Sequence, residues 1–108
     1  MFKLSVSKTF TTPVNFKIPV DGGTYQTNSF IGEFKRLTLS EMRDLPKEGT
    51  DVEICRRIMV GWNEIADENG TPLPFSSEAL DRLLDIVGVA STILQTFFGT
   101  LNGVREKN

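Results

Sequence analysis

Hydrophobic and polar residues alternate along the first third of the chain. From Val14 to Val20 every second residue is apolar, the pattern of a strand that buries one face. Residues 21–23 (Asp-Gly-Gly) follow, and their glycines tolerate the positive φ angles of a tight hairpin turn. A second strand is predicted from about Tyr25 to Leu37. A short additional strand is predicted from three alternating apolar residues nearer the N-terminus: Phe2, Leu4 and Val6.

Helix signals replace the strand pattern from Thr38 onwards. Thr38 is followed three residues later by Glu41, and Thr50 is followed in the same way by Glu53. Both pairs are capping boxes, in which the threonine and the glutamate satisfy backbone N–H groups at the start of a helix. A proline separates the two predicted helices. The second helix runs into residues 59–62, where β-forming residues and a glycine favour a short strand or extended segment.

Two more helices are predicted near the C-terminus. Residues 67–70 (Asp-Glu-Asn-Gly) predict a turn, and two prolines then hold the chain extended until Ser76 or Ser77 caps a helix that continues to about Asp85. A final helix is predicted over 87–103. Because strand signals come first and helix signals follow, the fold class is predicted to be α+β, with an N-terminal hairpin or small sheet followed by packed helices. One domain is predicted over 1–108. It is predicted to be mainly β in 1–37 and mainly α in 38–104, with a short extended segment and turn near 59–75.

The final predicted helix has one apolar face and one uncharged polar face. The apolar face consists of Ala90, Ile93, Leu94, Phe97, Phe98, Leu101 and Val104. The opposite face consists of Ser91, Thr92, Gln95, Thr96, Gly99, Thr100 and Asn102. Ordinary core packing explains the apolar face, whereas the uncharged face suits close contact with another chain, because a solvated helix usually carries lysine and glutamate.

Composition excludes several classes of partner. Twelve basic and fourteen acidic residues give a net charge of −2, so no cationic surface is expected for nucleic acid or for an anionic membrane. No apolar run approaches the ~20 residues that cross a bilayer. A single cysteine, Cys55, cannot form an internal disulfide, and without histidine the usual soft zinc ligands are missing. These features favour a reducing compartment, the cytoplasm by default, and no cofactor.

Candidate catalytic groups have simpler explanations. The absence of histidine removes the commonest general base near neutral pH. Asp81 and Asp85 lie one helical turn apart, but Glu78 and Arg82 share the same helix at the favourable spacing for an ion pair, which describes a solvated face. The acidic turn lacks the ligand spacing of a calcium loop, and the paired glycines of the hairpin turn lack the spacing of a phosphate-binding loop. The chain is predicted not to be an enzyme.

The aromatic content points instead to interaction surface. Eight phenylalanines and one tryptophan are many for 108 residues. A chain this short buries a smaller share of its surface than a large protein, so some aromatic side chains are expected to stay uncovered. An uncovered apolar patch usually marks an interaction site. The candidate partner-binding residues are Trp62, Phe75, Phe97, Phe98 and Leu101.

Three ordered stretches carry a resemblance to a known family. They are Val60-Gly61-Trp62-Asn63-Glu64-Ile65-Ala66-Asp67, then Gly70-Thr71-Pro72-Leu73-Pro74-Phe75-Ser76, then Leu80 with Leu83-Leu84-Asp85. This order resembles the small tail assembly chaperones of bacteriophages, in which a Gly-Trp segment, an acidic Gly turn and a Pro-Leu-Pro-Phe-Ser helix entry precede an aromatic-rich C-terminal helix. Val87 stands where that family is expected to have a helix-breaking proline, so the last two helices are expected to be more continuous here.

The resemblance implies a chaperone that binds the tape-measure protein and keeps it soluble until tail-tube subunits polymerise around it. Tail-tube protein is a further possible partner, and the chaperone is expected to be a small oligomer in the host cytoplasm, absent from the mature virion, with no nucleotide or metal. Two alternatives stay open. One is a structural tail subunit, which would assemble alone at high concentration, and the other is a protein-interaction module unrelated to tails.

Overall fold

A long antiparallel hairpin begins the computed structural model, which describes residues 1–103. Strand β1 (Thr9–Val20) pairs with β2 (Thr24–Lys35) along its whole length. The strands are joined by a single 3₁₀ turn at Asp21–Gly23, whose glycines have φ angles of 82° and 74°. The prediction of a hairpin that turns at these glycines is confirmed.

The predicted N-terminal strand at Phe2, Leu4 and Val6 is wrong. Residues 1–8 form no strand and are exposed. The reason is that β2 has no residue left to pair with them, because Thr9 is already opposite Lys35 and the chain then leaves the sheet. Only Arg36 reaches back, donating hydrogen bonds from its N–H to the Lys8 carbonyl (2.8 Å) and from Nε to the Ser7 carbonyl (2.8 Å).

Two short helices, α1 (Leu39–Asp44) and α2 (Asp51–Ile58), begin at the predicted capping boxes. At the start of α2, Glu53 accepts a hydrogen bond from the Thr50 N–H (3.0 Å), and Thr50 Oγ1 accepts one from the Glu53 N–H (3.3 Å). The hydrogen bonds from Thr50, the backbone one first, lower the pKa of the Glu53 carboxyl. A 3₁₀ helix at Leu45–Glu48, which contains the proline, separates α1 from α2.

The chain returns to the sheet after α2. Strand β3 (Met59–Asn63) pairs antiparallel with β2, so the strand order is β1-β2-β3, with an irregularity in register between Glu33 and Phe34. Helices α3 (Ser77–Leu84) and α4 (Val89–Leu101) complete the described chain, and Ser76 is the cap of α3. The predicted α+β class is confirmed.

The expected continuity between α3 and α4 is wrong. The two helix axes are bent by 105° at the break between them. Gly88, the N-cap of α4, has φ 89°, a left-handed conformation that glycine adopts without the strain a Cβ atom would bring. The chain changes direction between Asp85, the C-cap of α3, and Gly88, although the residue at 87 is valine and not the expected proline.

The core lies between the sheet and the helices, and three aromatic rings join the two layers. The Phe34 ring lies 5.8 Å from that of Phe10 and 5.6 Å from that of Phe97 on α4. Gly32 makes room for this cluster, because a Cβ atom there would lie 2.7 Å from two ring carbons of Phe34. The buried apolar residues are Val14, Phe30, Phe34, Leu45, Ile54, Cys55, Ile58, Met59, Trp62, Ala79, Leu80, Leu84, Val89, Ala90, Ile93, Leu94 and Phe97.

We predict that Gly32→Ala destabilises the protein by about 1–3 kcal/mol, because the new methyl group must displace the Phe34 ring. In a Phe34→Leu background the same substitution should cost less, by at least about 0.5 kcal/mol, since the ring is gone. Urea unfolding followed by the fluorescence of Trp62 measures both steps of this cycle. An equal cost in the two backgrounds would show that the contact between Gly32 and Phe34 is not the cause.

Candidate functional site

The five candidate partner-binding residues form two separate groups. Trp62 and Phe75 meet edge to face with ring centroids 5.0 Å apart, and Phe97 and Phe98 meet in the same way at 5.4 Å. Leu101 follows on the last turn of α4 and is half-buried. Within residues 1–103 no ring contact connects the first group with the second. A partner would therefore meet two patches rather than one.

Trp62 serves the local fold. Its side chain is 9% exposed, and its Nε1 donates a hydrogen bond to the Leu73 carbonyl (2.8 Å). The N–H of Leu73 in turn donates to the Ile65 carbonyl (2.8 Å). These bonds fasten the turn between β3 and α3 to the sheet, and the half-buried Phe75 covers the indole edge. Only Phe75 of this pair offers substantial surface.

A small cleft of about 180 Å³ lies beside this pair. It is lined by Arg56, Met59, Phe75, Ser77, Leu80 and Asp81. Arg56 Nε donates to Asp81 Oδ1 at 2.7 Å, and both side chains are about half exposed. An exposed ion pair of this kind stabilises little and marks a rim that water reaches. The cleft is smaller than ordinary small-molecule sites of roughly 300–1,000 Å³.

Phe97 and Phe98 are neighbours with different environments. Phe97 is fully buried and stacks on Phe10 with centroids 5.8 Å apart, so in this conformation it packs the core. Phe98 and Leu101 are half-buried at the boundary between the core and solvent. The sequence pattern placed all three on one apolar face, whereas in the structure they differ in burial: Phe97 is buried, and Phe98 and Leu101 are half-buried. Val104, the last residue of that predicted face, lies outside the described residues.

The predicted polar face of α4 is divided in the structure. Thr100 is turned towards β1, where its hydroxyl lies 3.1 Å from the Thr12 hydroxyl in a hydrogen bond. Thr92 Oγ1 donates to the Gly88 carbonyl (2.9 Å) within the first turn of the helix. What remains outward at helical spacing is a strip that we name the α4 strip: Ser91, Gln95, Phe98 and Asn102. No charged residue occurs between Asp85 and Arg105, so this strip has no charged neighbour on its own helix.

The remaining chemistry of the described chain is limited. Cys55 is buried, and its Sγ donates to the Ala90 carbonyl at 3.5 Å. Burial first, and the Asp51 carboxylate second, raise the pKa of the Cys55 thiol to about 12. The ion pair expected between Glu78 and Arg82 is not formed, because Arg82 reaches Glu68 instead (3.5 Å). Within the described residues no three histidine, cysteine or acidic side chains are grouped to hold a metal ion.

Sequence reasoning missed the exposed apolar residues of the hairpin. Val20 is 46% exposed and Tyr25 is 64% exposed, and both lie close to the turn that joins β1 to β2. The alternating pattern identified these strands correctly, but it could not show that the helices and β3 cover only one end of them. The available signal was the length of the hairpin, because twelve-residue strands extend beyond a five-residue third strand.

The apolar helices α3 and α4 can be compared with membrane-spanning helices by length and hydropathy. Among residues 1–103 no single helix has the length and hydropathy to cross a bilayer. Helices α3 and α4 pass that test only as a pair, and they are bent by 105° at their junction.

Side-chain hydrogen bonds close two local features within residues 60–85. Asp67 Oδ1 accepts hydrogen bonds from the N–H groups of Asn69 (2.9 Å) and Thr71 (3.0 Å), which close the acidic turn. Ser76 Oγ accepts from the Ala79 N–H (3.1 Å), which caps α3. Comparison of the chain with family models, curated proteins and solved structures yielded no match. Assignment to a family therefore remains a proposal based on these residues.

We predict that Phe97→Ala and Phe98→Ala differ strongly in cost. Phe97→Ala should lower the free energy of unfolding by about 3–5 kcal/mol, because a fully buried ring is removed. Phe98→Ala should cost clearly less, since part of that ring already contacts water. Thermal and urea unfolding of the two variants measure the difference. Equal costs would contradict the placement of Phe98 at the surface.

We also predict that the Cys55 thiol is unreactive in the native protein. With the pKa raised from 9.0 to about 12, the thiolate fraction at pH 8 falls on the order of a thousand-fold relative to a free thiol. Because the thiol pKa is higher in the folded state, its contribution to the free energy of unfolding is fully present below pH 9. This contribution is lost as the pH rises towards 12. Labelling with Ellman's reagent, with and without urea, tests the prediction, and rapid labelling without urea would refute it.

Proposed function

We propose that this chain is a bacteriophage tail assembly chaperone that binds the tape-measure protein and keeps it soluble until the tail tube polymerises around it. Two things support the proposal. The first is the ordered resemblance of residues 60–85 to that family. The second, which carries the structural part of the argument, is the α4 strip: an outward helix surface without charge in a chain of which 24% of residues are charged.

The α4 strip has the properties of a surface for an amphipathic helix. Phe98 supplies a half-exposed aromatic ring, and Leu101 lies beside it at the same boundary. Ser91 and Gln95 are small or flexible and uncharged, so an apolar client helix can approach without stripping water from a charge. Aromatic anchors dominate the binding energy of many interfaces. A long client with repeated apolar helices would be held by many such contacts, each of them weak.

The charge of the chain fits the same role. A net charge of −2 gives coated clients a common sign, which opposes their aggregation. Binding of this kind needs no nucleotide or metal, and the proposed site of action is the host cytoplasm, with the chaperone leaving before the virion is complete. The tail-tube protein is a second proposed partner, because it must displace the chaperone from the tape-measure protein.

A structural tail subunit is the second candidate function. The observation that favours it is that β3 pairs with only the last part of β2, which leaves the edge of β2 near the hairpin turn unpaired. An unpaired strand edge can template assembly with another chain. The two functions differ in one property. A structural subunit should form large assemblies alone, whereas a chaperone should stay small and need its client.

We predict that co-expression of this chain raises the soluble fraction of the tape-measure protein encoded beside it, and that the two are captured together. Ser91→Lys should weaken capture, because it places a desolvated charge in the α4 strip. Ser40→Lys is the matched control, since Ser40 is also an exposed serine in the first turn of a helix, α1. Pull-down and sedimentation of the lysate measure both effects.

Two outcomes would count against the chaperone function, and a third would count only against the α4 strip. Absence of capture and of rescued solubility with the folded wild-type chain would reject the chaperone function. Large assemblies of the chain alone would support the structural subunit. Equal capture by the Ser91→Lys and Ser40→Lys variants would reject the α4 strip as the client surface while leaving the function itself supported.

A further inference from the structure

The outer half of β2 has an unpaired edge. β3 pairs with β2 only from Ile31 to Phe34, so within the described chain no strand lies beside Thr24–Phe30 on that side. Glu64 explains why β3 stops there. It has φ 69°, unusual for a residue with a side chain, and it turns the chain away after Asn63.

The prolines of β1 show which backbone groups of β2 face this edge. Pro13 is opposite Ile31 and Pro19 is opposite Tyr25. Because proline has no N–H, these pairs occupy positions where neighbouring strands do not exchange hydrogen bonds. The odd-numbered residues of β2 therefore direct their N–H and C=O groups away from β1. On the unpaired edge these residues are Tyr25, Thr27 and Ser29.

The two edges of the hairpin are protected very differently. The outer edge of β1 has two prolines and Lys17, which are the features that prevent further strand pairing. On the β2 side, residues 22–32 contain neither a charged residue nor a proline. Thr24 to Thr27 and Ser29 are exposed, so no other part of the described chain covers this edge. One edge is closed to pairing and the other is open.

We propose that the open edge of β2 pairs with the same edge of a second copy of this chain, antiparallel and centred on Thr27. Thr27 then faces Thr27 of the second copy, and Tyr25 faces Ser29 of the second copy. The outward groups of these residues would form about six backbone hydrogen bonds. The two three-stranded sheets become one continuous sheet with a two-fold axis through its centre.

The chemistry of the edge favours a second copy over an unrelated strand. Antiparallel pairing of a strand with its own copy places the central residue directly opposite itself, and like charges in that position are destabilising. This edge has no charge to repel its copy, and it places threonine opposite threonine, a favourable cross-strand pair. The length also fits, because the unpaired stretch Thr24–Phe30 extends equally to both sides of Thr27 and ends where β3 begins.

The pairing is self-limiting. Once two β2 edges are joined, the remaining edges of the sheet are those of β1, which the prolines close, and those of β3, which has only five residues and offers little length for pairing. The contact uses the same patch on both copies, so it forms a closed dimer rather than a filament. This inference does not depend on the proposed function, because it uses only the hairpin and β3.

Thr27→Glu tests the pairing. In one copy the new carboxylate lies opposite Lys17, so the hairpin gains a favourable cross-strand pair. In the dimer two carboxylates would meet at the two-fold axis. Asn15→Glu is the matched control, because Asn15 is an exposed residue of the same hairpin on the β1 side. Sedimentation equilibrium over a concentration series should give twice the chain mass of 12.1 kDa for wild type and for Asn15→Glu, and the single mass for Thr27→Glu.

Thr27→Cys tests the register. Directly opposed residues in a hydrogen-bonded pair have Cα atoms about 5.5 Å apart, within the range that a disulfide spans. The variant should form a covalent dimer on mild oxidation, while the buried Cys55 of the wild-type protein should not. A monomeric wild-type chain, a Thr27→Glu variant that remains dimeric, an assembly larger than a dimer, or a dimer in which Thr27→Cys fails to cross-link would each overturn the proposal.

Discussion

The packing of Phe34 over Gly32 and against Phe97 connects the sheet to α4, and the rest of the fold depends on it. The backbone of a strand does not by itself fix where a helix packs along it. The Phe34 ring fills the space above Gly32 and contacts Phe97, so α4 has few other positions on the sheet. Phe10 closes the cluster from β1. The aromatic rings therefore join the hairpin, which is local in sequence, to a helix whose Phe97 lies more than sixty residues after Phe34.

The contact between Phe34 and Phe97 also determines which surface of α4 faces solvent, and so which surface the proposed client would meet. With Phe97 turned to the sheet, helical geometry directs Phe98 to the boundary with solvent and the other three residues of the α4 strip outwards. The hydroxyl contact between Thr100 and Thr12 fixes the rotation of the helix from its other side. The proposed binding surface is thus not independent of the fold. It is the part of α4 that remains once Phe97 and Thr100 have been placed.

Features decided by neighbouring residues were predictable from sequence, and features decided by distant partners were not. The capping boxes at Thr38 and Thr50, the cap at Ser76 and the glycine turn are closed by contacts within four residues, so local chemistry identified them. The strand predicted at Phe2 has the right pattern but no partner, because β2 ends. The difference in burial between Phe97 and Phe98 depends on where α4 packs on the sheet, and hydrophobic periodicity does not determine that position. The bend before α4 was readable in part, since Gly88 is the residue type that adopts the left-handed conformation found there.

The two surfaces proposed here have a physical relation. A two-fold axis through the middle of an antiparallel sheet is perpendicular to it, so the helix layers of both copies lie on the same side. Two α4 strips would then face a client together. When one strip is bound, the second meets the client at a high effective concentration, and overall affinity rises without any new contact. A client with repeated helices would profit from this arrangement, whereas a client with one helix would not. Dimerisation through β2 thus offers a way for a weak, uncharged strip to hold a long apolar chain and still release it, since each contact alone stays weak.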